Sequence, residues 1–397
     1  MGAERLRVAH LADLHLGFRQ FDRQTPRGGN QREADVAQAF ARAVDDLLTQ
    51  RPDLVLIAGD VFHSVRPTNP AILFLFQQLQ RLRVGLPDAP VVLVAGNHDT
   101  PRSAETGTIL RLYEALGVVV VTDVTRRLVF PECAVLAVPH QALIGPERPA
   151  LRPERGGPRF NILVTHGDLP EVTPVGQVPL EFGGAPLSRD ELGIPHWDYV
   201  ALGHYHVAHE VAPNCWYAGS LEHVGLNPWG ELREAADHGR SQAGKGYLLV
   251  DLPGAKVTFR PVASARRFLD LPAVHGSGLT AREVMAEIER RVRDADPPID
   301  DQVVRLVAYD VSRGTAADLD HAAIRGFKAR ALNFQLDIRR PESQRVTGAG
   351  APGNRLTLPE TVRAFLAHRL LDADLDRDEF VRLGVQYVEQ VSREDRG

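Results

Sequence analysis

Five short clusters in this 397-residue sequence concentrate carboxylate, amide and imidazole side chains. They are Asp13-Leu14-His15, Gly59-Asp60, Gly96-Asn97-His98-Asp99, His166-Gly167 and Gly203-His204-Tyr205-His206. Pooled, they offer three oxygen-bearing ligands (Asp13, Asp60, Asn97) and four imidazoles (His15, His166, His204, His206). One divalent ion rarely takes seven protein ligands, whereas two ions sharing a carboxylate use them naturally. Mixed carboxylate and imidazole ligation suits manganese, iron or zinc, and an all-oxygen set would have pointed to magnesium or calcium. In Asp13-Leu14-His15 and His204-Tyr205-His206 the ligands stand two apart, so an extended backbone turns both side chains the same way. Two ions about 3.5–4 Å apart would turn a bridging water into hydroxide and neutralise the charge building on a phosphoryl group. Hydrolysis of phosphoesters is therefore the chemistry to expect.

Each cluster follows an apolar segment that reads as a strand: Leu6–Ala12, Leu54–Ala58, Val91–Ala95, Ile162–Thr165 and Tyr199–Leu202. Ligands gather beyond the carboxyl ends of sheet strands, so these loops can converge on one site. A single Asp-x-His arises by chance, and a lone histidine at a strand end is usually structural. Five clusters in this order are much harder to explain that way. His140, His196, His209, His223, His238, His275, His321 and His368 are read as structural, and His10 as a strand residue behind the ligands.

Helices alternate with the early strands. Ala34–Leu48 places Val36, Phe40, Val44, Leu47 and Leu48 on one face, and Ala71–Leu82 is a second helix. Ser103 is positioned to cap a third, which Gly117 ends. Strands then dominate, at Val118–Thr122, Arg127–Val129, Ala134–Val138, Cys215–Gly219, Tyr247–Leu252 and Val257–Val262. Two packed sheets flanked by helices follow from this order.

The character changes near Ala265. Thr280-x-x-Glu283 forms a capping box opening a helix to about Arg293, followed by a strand at Val303–Tyr309, a helix at Ala316–Ile324 and a strand at Ala331–Ile338. Glycine, proline and polar residues crowd the stretch after Pro341. Helices at Pro359–Leu371 and Asp378–Val391 close the chain. The expected division is 1–264 for the main domain, 265–340 for a small α+β unit, 341–357 for a linker and 358–397 for a helical tail.

The length calls for more than one domain, and a hydrophobic fraction of 44% with 24% charged residues is that of a globular protein. Apolar runs are strand-length, so no membrane span is expected, and the N-terminus lacks the apolar core of a secretory signal. A cytoplasmic location is the expectation. Cys133 and Cys215 are too few for a disulfide framework and lack zinc-site spacing. A net charge of -5 does not announce a nucleic-acid partner, although bound cations would change the local balance. Of 46 basic residues all but Lys245, Lys256 and Lys328 are arginine, a bias that a GC-rich genome explains.

The finer spelling of the clusters resembles one family. His10–Gly17 (HLADLHLG), Ala58–His63 (AGDVFH), Ala95–Asp99 (AGNHD), Thr165–Gly167 (THG), Leu202–His206 (LGHYH) and Tyr217–Glu222 (YAGSLE) are similar to the SbcD-type nuclease branch of the calcineurin-like metallophosphoesterases, including its YhaO-like relatives. The resemblance covers about residues 5–265. Ala218 departs from it, since a proline is more usual there.

That resemblance implies an α/β fold, a four-layer αββα sandwich with a small α+β capping domain and a helical C-terminal tail. It implies Asp13, His15, Asp60 and His206 on one metal, with Asp60 bridging to a second completed by Asn97, His166 and His204. His98 matches the catalytic histidine, His63 the residue that orients the scissile nucleotide, and Asp99 is expected to orient His98. Manganese is the implied metal. DNA, an SbcC-type SMC-like ATPase and a second copy of the chain are the implied partners, in a nucleoid-associated setting. The activity implied is exonuclease on duplex ends and endonuclease on single strands or hairpins. The rival readings are a phosphodiesterase or phosphatase for small nucleotides and a non-catalytic DNA tether.

Arg19, Arg23, Arg27 and Arg32 surround the loop after the first cluster and are candidate phosphate contacts, while Arg148, Arg152, Arg155 and Arg159 read better as a solvated loop.

Overall fold

The computed structural model describes residues 5–101, 107–154, 156–172, 183–225, 227–237, 244–341, 358–367 and 376–394. It opens with β1 (Leu6–Leu11), α1 (Gln31–Gln50), β2 (Leu54–Ala58), α2 (Asn69–Gly85), β3 (Val91–Val94), a 3-10 helix at Ile109–Leu116 and β4 (Val119–Val121). Next come β5 (Arg126–Val129), β6 (Cys133–Val138), α3 (His140–Ile144), β7 (Phe160–His166), α4 (Arg189–Leu192), β8 (Tyr199–Gly203), β9 (His209–Ala212) and β10 (Cys215–Tyr217). The short α5 (Pro228–Asp237) then returns the chain to the first sheet as β11 (Gly246–Leu252) and β12 (Lys256–Pro261).

These strands form two six-stranded sheets, ordered β12-β11-β1-β2-β3-β4 and β5-β6-β7-β8-β10-β9. β1 to β4 run parallel, as do β6, β7, β8 and β10. Strand alternation sorts the core. Val55 and Ile57 of β2 pack with Phe40, Val44 and Leu47 of α1 and Leu75 and Leu79 of α2. Leu54, Leu56 and Ala58 of the same strand face the other sheet, against Ile162, Val164, Tyr199 and Ala201. The outer face of the second sheet is covered by Leu143 of α3, Leu192 of α4 and Trp197. The result is the four-layer sandwich. Its burial on both sides explains why the parallel strands read as uninterrupted apolar runs.

Local signals set the helix ends. Asn30 caps α1 by accepting from the N–H groups of Arg32 and Glu33, an arrangement that contributes about 1 kcal/mol. The Ile109–Leu116 helix is capped by Thr108, which corrects the expectation for Ser103; Ser103 itself lies outside the described residues. Gly117 ends it at φ 74°.

The third sheet is parallel and ordered β13-β14-β15, from β13 (Phe268–His275), β14 (Val303–Tyr309) and β15 (Asn333–Ile338). α6 (Ala281–Arg293) starts with the Thr280–Glu283 capping box and packs Val284 and Ile288 on this sheet. The single helix expected at Ala316–Ile324 is two, α7 (Arg313–Ala317) and α8 (His321–Arg330). α7 ends at its C-cap Asp318, and Asp320 opens α8, its carboxylate accepting from the N–H groups of Ala322 and Ala323.

The chain divides into two compact units, 1–340 and 341–397. In the second, α9 (Leu358–Ala367) and α10 (Arg377–Glu394) are in contact, with an Arg377 guanidinium nitrogen donating to the Ala367 carbonyl at 2.8 Å. The glycine-rich stretch 342–357 lies outside the described residues. Among the described residues no helix is long and apolar enough to cross a membrane.

Candidate metal centre

Asp13 and His15 leave the end of β1, Asp60 and His63 the end of β2, and Asn97, His98 and Asp99 the end of β3. His166 is the last residue of β7, and His204 and His206 follow β8. Backbone hydrogen bonds zip the first two loops together: Asp13 N–H to Gly59 carbonyl at 3.0 Å, His15 N–H to Asp60 carbonyl at 2.9 Å, and His63 N–H to Leu16 carbonyl at 3.1 Å. The ligand loops pay for their tight course in backbone strain. Asp13 (φ 52°), His15 (φ 44°), Asp60 (φ 49°) and His204 (φ 106°) all hold a positive φ, a rare state for a residue with a side chain.

Close approach explains the glycines of the motifs. A Cβ on Gly96 would fall 2.1 Å from Asp60 Oδ1, and one on Gly184 would fall 2.5 Å from His204 Nε2. Gly184 was not singled out in the sequence, and the Gly183-Gly184 pair is the signal that could have found it.

Donor atoms converge in three groups among the described residues: Asp13, His15 and His206; Asp60, His166 and His204; and His15, His63 and His98. Within each group the donor atoms lie within 4.8 Å of one another. Asp13, His15, Asp60 and His166 are fully buried, and His206 nearly so. His15 Nε2 stands 3.1 Å from His206 Nε2. Asn97 Oδ1 stands 2.9 Å from His166 Nε2 and 3.2 Å from His204 Nδ1, and Asp60 Oδ2 is 3.3 Å from His166 Nε2. Donors of mixed carboxylate, amide and imidazole type, buried and turned toward one another, are of the kind that could hold a first-row divalent cation. The residues present fit such ions.

Polar neighbours fix these donors. The Asp13 carboxylate accepts the His204 N–H at 3.0 and 3.2 Å, and Asp60 Oδ1 accepts the His98 N–H at 2.9 Å. His166 Nδ1 is 2.9 Å from the Ala58 carbonyl, which directs Nε2 to the cluster. Burial works against a charge on His166, yet the Asp60 and Asp13 carboxylates raise its pKa to about 9.

His98 Nδ1 bonds the His63 carbonyl at 2.7 Å, and the two rings stack with centroids 5.2 Å apart. Asp99 does not do what the sequence led us to expect. Its carboxylate accepts the N–H groups of Val61, Phe62 and Gly96, each at 3.0 or 3.1 Å. It therefore knits the β2 and β3 loops, while the His98 ring is held by the His63 carbonyl. Burial, reinforced by Asp60, raises the Asp99 pKa to about 6.

The arginines after β1 separate. Arg19 pairs with Glu33 and is exposed, as is Arg27. Arg23 is exposed yet donates to the carbonyls of Ala329 and Ala331, tying its loop to α8. Arg32 is corrected as a DNA contact. It is fully buried, its guanidinium meeting Asp35, Glu222 and the His223 carbonyl and lying 5.0 Å over the Phe268 ring. Helix periodicity explains this, since Arg32 stands in the first turn of α1 on its buried side. Arg155 lies outside the described residues. His140, a structural residue on the sequence, is buried, bonds the Gly183 carbonyl at 2.8 Å and feels the charges of His166, Asp60 and His98.

Comparison with known proteins meets this geometry. A family model described as calcineurin-like phosphoesterase matches residues 6–208. The DNA double-strand break repair protein Mre11 of Saccharolobus solfataricus is 24% identical over 269 residues, 64% of this chain and 65% of that protein. Its namesake in Sulfurisphaera tokodaii is 26% identical, over 64% of this chain and 62% of the relative. In both cases the match spans just under two thirds of the relative's length. The Mre11 protein of Methanopyrus kandleri, at 23% identity, aligns with 98% of this chain and 83% of its own length.

Proposed function

The chain belongs to the calcineurin-like phosphoesterase family, and from that premise we propose that it is a metal-dependent DNA nuclease of double-strand-break repair. The observation that carries the proposal is the meeting of donors from five strand ends in one buried pocket. Asp13, His15, Asp60 and His206 would hold one divalent cation, and Asp60, Asn97, His166 and His204 a second, with manganese as the metal of choice. Bound there, the cations would supply Lewis acidity and an activated water for in-line attack at phosphorus.

The chain's own groups do the rest. Asp60 Oδ2 is 3.3 Å from His166 and 3.7 Å from His15, one residue of each ligand set, which supports a bridging role, and its Oδ1 also holds the His98 backbone. With Nδ1 of His98 committed to the His63 carbonyl, proton delivery to the leaving oxygen runs through Nε2. His63, stacked on that ring, orients the scissile nucleotide. Asp99 is a positioning residue for both loops. Arg19, Arg23 and Arg27 line the loop assigned to the phosphate backbone.

DNA is favoured over a small nucleotide by what the relatives are named for and by two added parts, the β13–β15 sheet and the tail. We assign the tail to an SMC-like ATPase of SbcC type, since Phe365, Leu383 and Tyr387 stand exposed on α9 and α10. We assign α2, with Leu73 exposed, to contact with a second copy of the chain. Exonuclease action on duplex ends and endonuclease action on single strands or hairpins complete the proposal.

The test supplies manganese and, in parallel, linear DNA, a cyclic dinucleotide and p-nitrophenyl phosphate esters. Degradation of DNA, with the small esters turned over far more slowly, is expected. Rapid turnover of the small diesters with DNA left intact would sink the nuclease reading. His98→Ala is expected to lower cleavage about 10²–10⁴-fold with bound manganese retained. Full cleavage by that variant would remove His98 from its role.

A further inference from the structure

Behind the ligand His206 lies a buried charge network that the roles above do not use. His206 turns Nε2 to His15 and Nδ1 toward Glu231 of α5, whose Oε1 faces it at 3.6 Å, slightly beyond hydrogen-bond length. The other carboxylate oxygen of Glu231 accepts from Lys245 Nζ at 2.6 Å and lies 3.1 Å from His223 Nδ1. Lys245 Nζ donates in addition to the His206 carbonyl at 2.8 Å and to Ser220 Oγ at 2.9 Å. One ammonium thus ties the backbone of the ligand residue to the carboxylate behind its ring. Glu231 is 1% exposed and Lys245 6%.

Two further observations show that this corner is specified. Burying an ion pair is a weak route to stability, so its presence calls for another reason. The chain takes arginine almost everywhere it needs a cation, yet keeps one of its three lysines here. Three acceptors around one nitrogen suit a compact ammonium and not a planar guanidinium. Gly225 also leaves room for the carboxylate: a Cβ there would fall 2.3 Å from Glu231 Oε1 and 3.5 Å from His206 Nδ1.

We propose that Glu231, clamped by Lys245, is a positioning residue of the metal centre, fixing which nitrogen of His206 faces the cation and how its ring is turned. Imidazole ligands commonly need such a partner on the second nitrogen, and losing it weakens metal binding about 10–100-fold. The inference rests on the reading of the pocket as a metal centre.

The experiment titrates the full chain with manganese, following the free ion by electron paramagnetic resonance and the fold by circular dichroism. The unsubstituted chain is expected to bind two ions. Glu231→Gln removes the charge at constant shape, and Gly225→Ala displaces the carboxylate mechanically. Each is expected to weaken one binding step about 10–100-fold, to leave the other in place, and to recover cleavage in excess manganese. Unchanged isotherms in both folded variants would overturn the inference. If one variant does not fold, the other decides, and if neither folds, Glu231→Asp decides by the same criterion. An unsubstituted chain that binds no manganese would instead overturn the metal-centre reading.

Discussion

At the scale of the residue, the clustered donors were legible because they are chemically distinctive and stand at fixed offsets from strand ends. Asp13, His15, Asp60, Asn97, His166, His204 and His206 were grouped from spelling alone, and the structure brings them together. What sits behind them was not legible. Glu231, Lys245 and Gly184 are ordinary residues in the sequence, made relevant by a distance that spacing does not encode. Arg32 failed for the converse reason, since a cation near a glycine-rich loop reads as exposed until its helix face is known. His10 offers a test at this scale. It is buried between Tyr199 Oη at 2.9 Å and the Leu202 carbonyl at 3.2 Å, and burial pushes its imidazole down to about 3. Its folded pKa therefore lies below the unfolded value near 6.5. Above that value both states are neutral and the full stability is present. As the pH falls below it, the unfolded chain takes up a proton that the folded chain refuses, at about 1.4 kcal/mol per pH unit. Urea midpoints measured from pH 7 to pH 4 should fall for the parent chain and fall less steeply for His10→Gln. Equal slopes would show that His10 is not the group responsible.

At the scale of the element, strong local signals were sufficient and interrupted ones were not. The Thr280–Glu283 box marked the start of α6 to the residue, with Thr280 Oγ1 accepting the Glu283 N–H. Thr280→Ala should destabilise the unit by about 1 kcal/mol, read as a lower urea midpoint, and a midpoint unmoved would mean the cap is redundant there. β13 was missed because Pro272 interrupts its pattern. The strand tolerates the proline by standing at the edge of its sheet and shifting register between Leu271 and Val274. α5 was missed as well, since Pro228 and Gly230 sit in its first turn and hide a helix that carries Glu231.

At the scale of the whole molecule, the order of strands foretold two sheets, while their pairing rests on contacts far apart in sequence. β11 closes on β1 from 246 residues away, as in the Leu6–Leu252 register pair. The candidate donors, from Asp13 to His206, are likewise drawn together from far apart, so a divalent cation bound by them should add to stability. Manganese at about 100 times its dissociation constant would add about 2.7 kcal/mol, so the melting temperature should rise with manganese and fall with a chelator. Identical melting in both conditions would speak against a resident cation.

The positive φ angles at Asp13, His15, Asp60 and His204 bear on where such a centre can exist. Free peptides seldom visit these backbone states, so the five motifs stitched into a short segment would not gather ions. A descendant that lost its substrate would be left holding the tension with nothing gained, and glycine or asparagine would be the natural drift at those four positions.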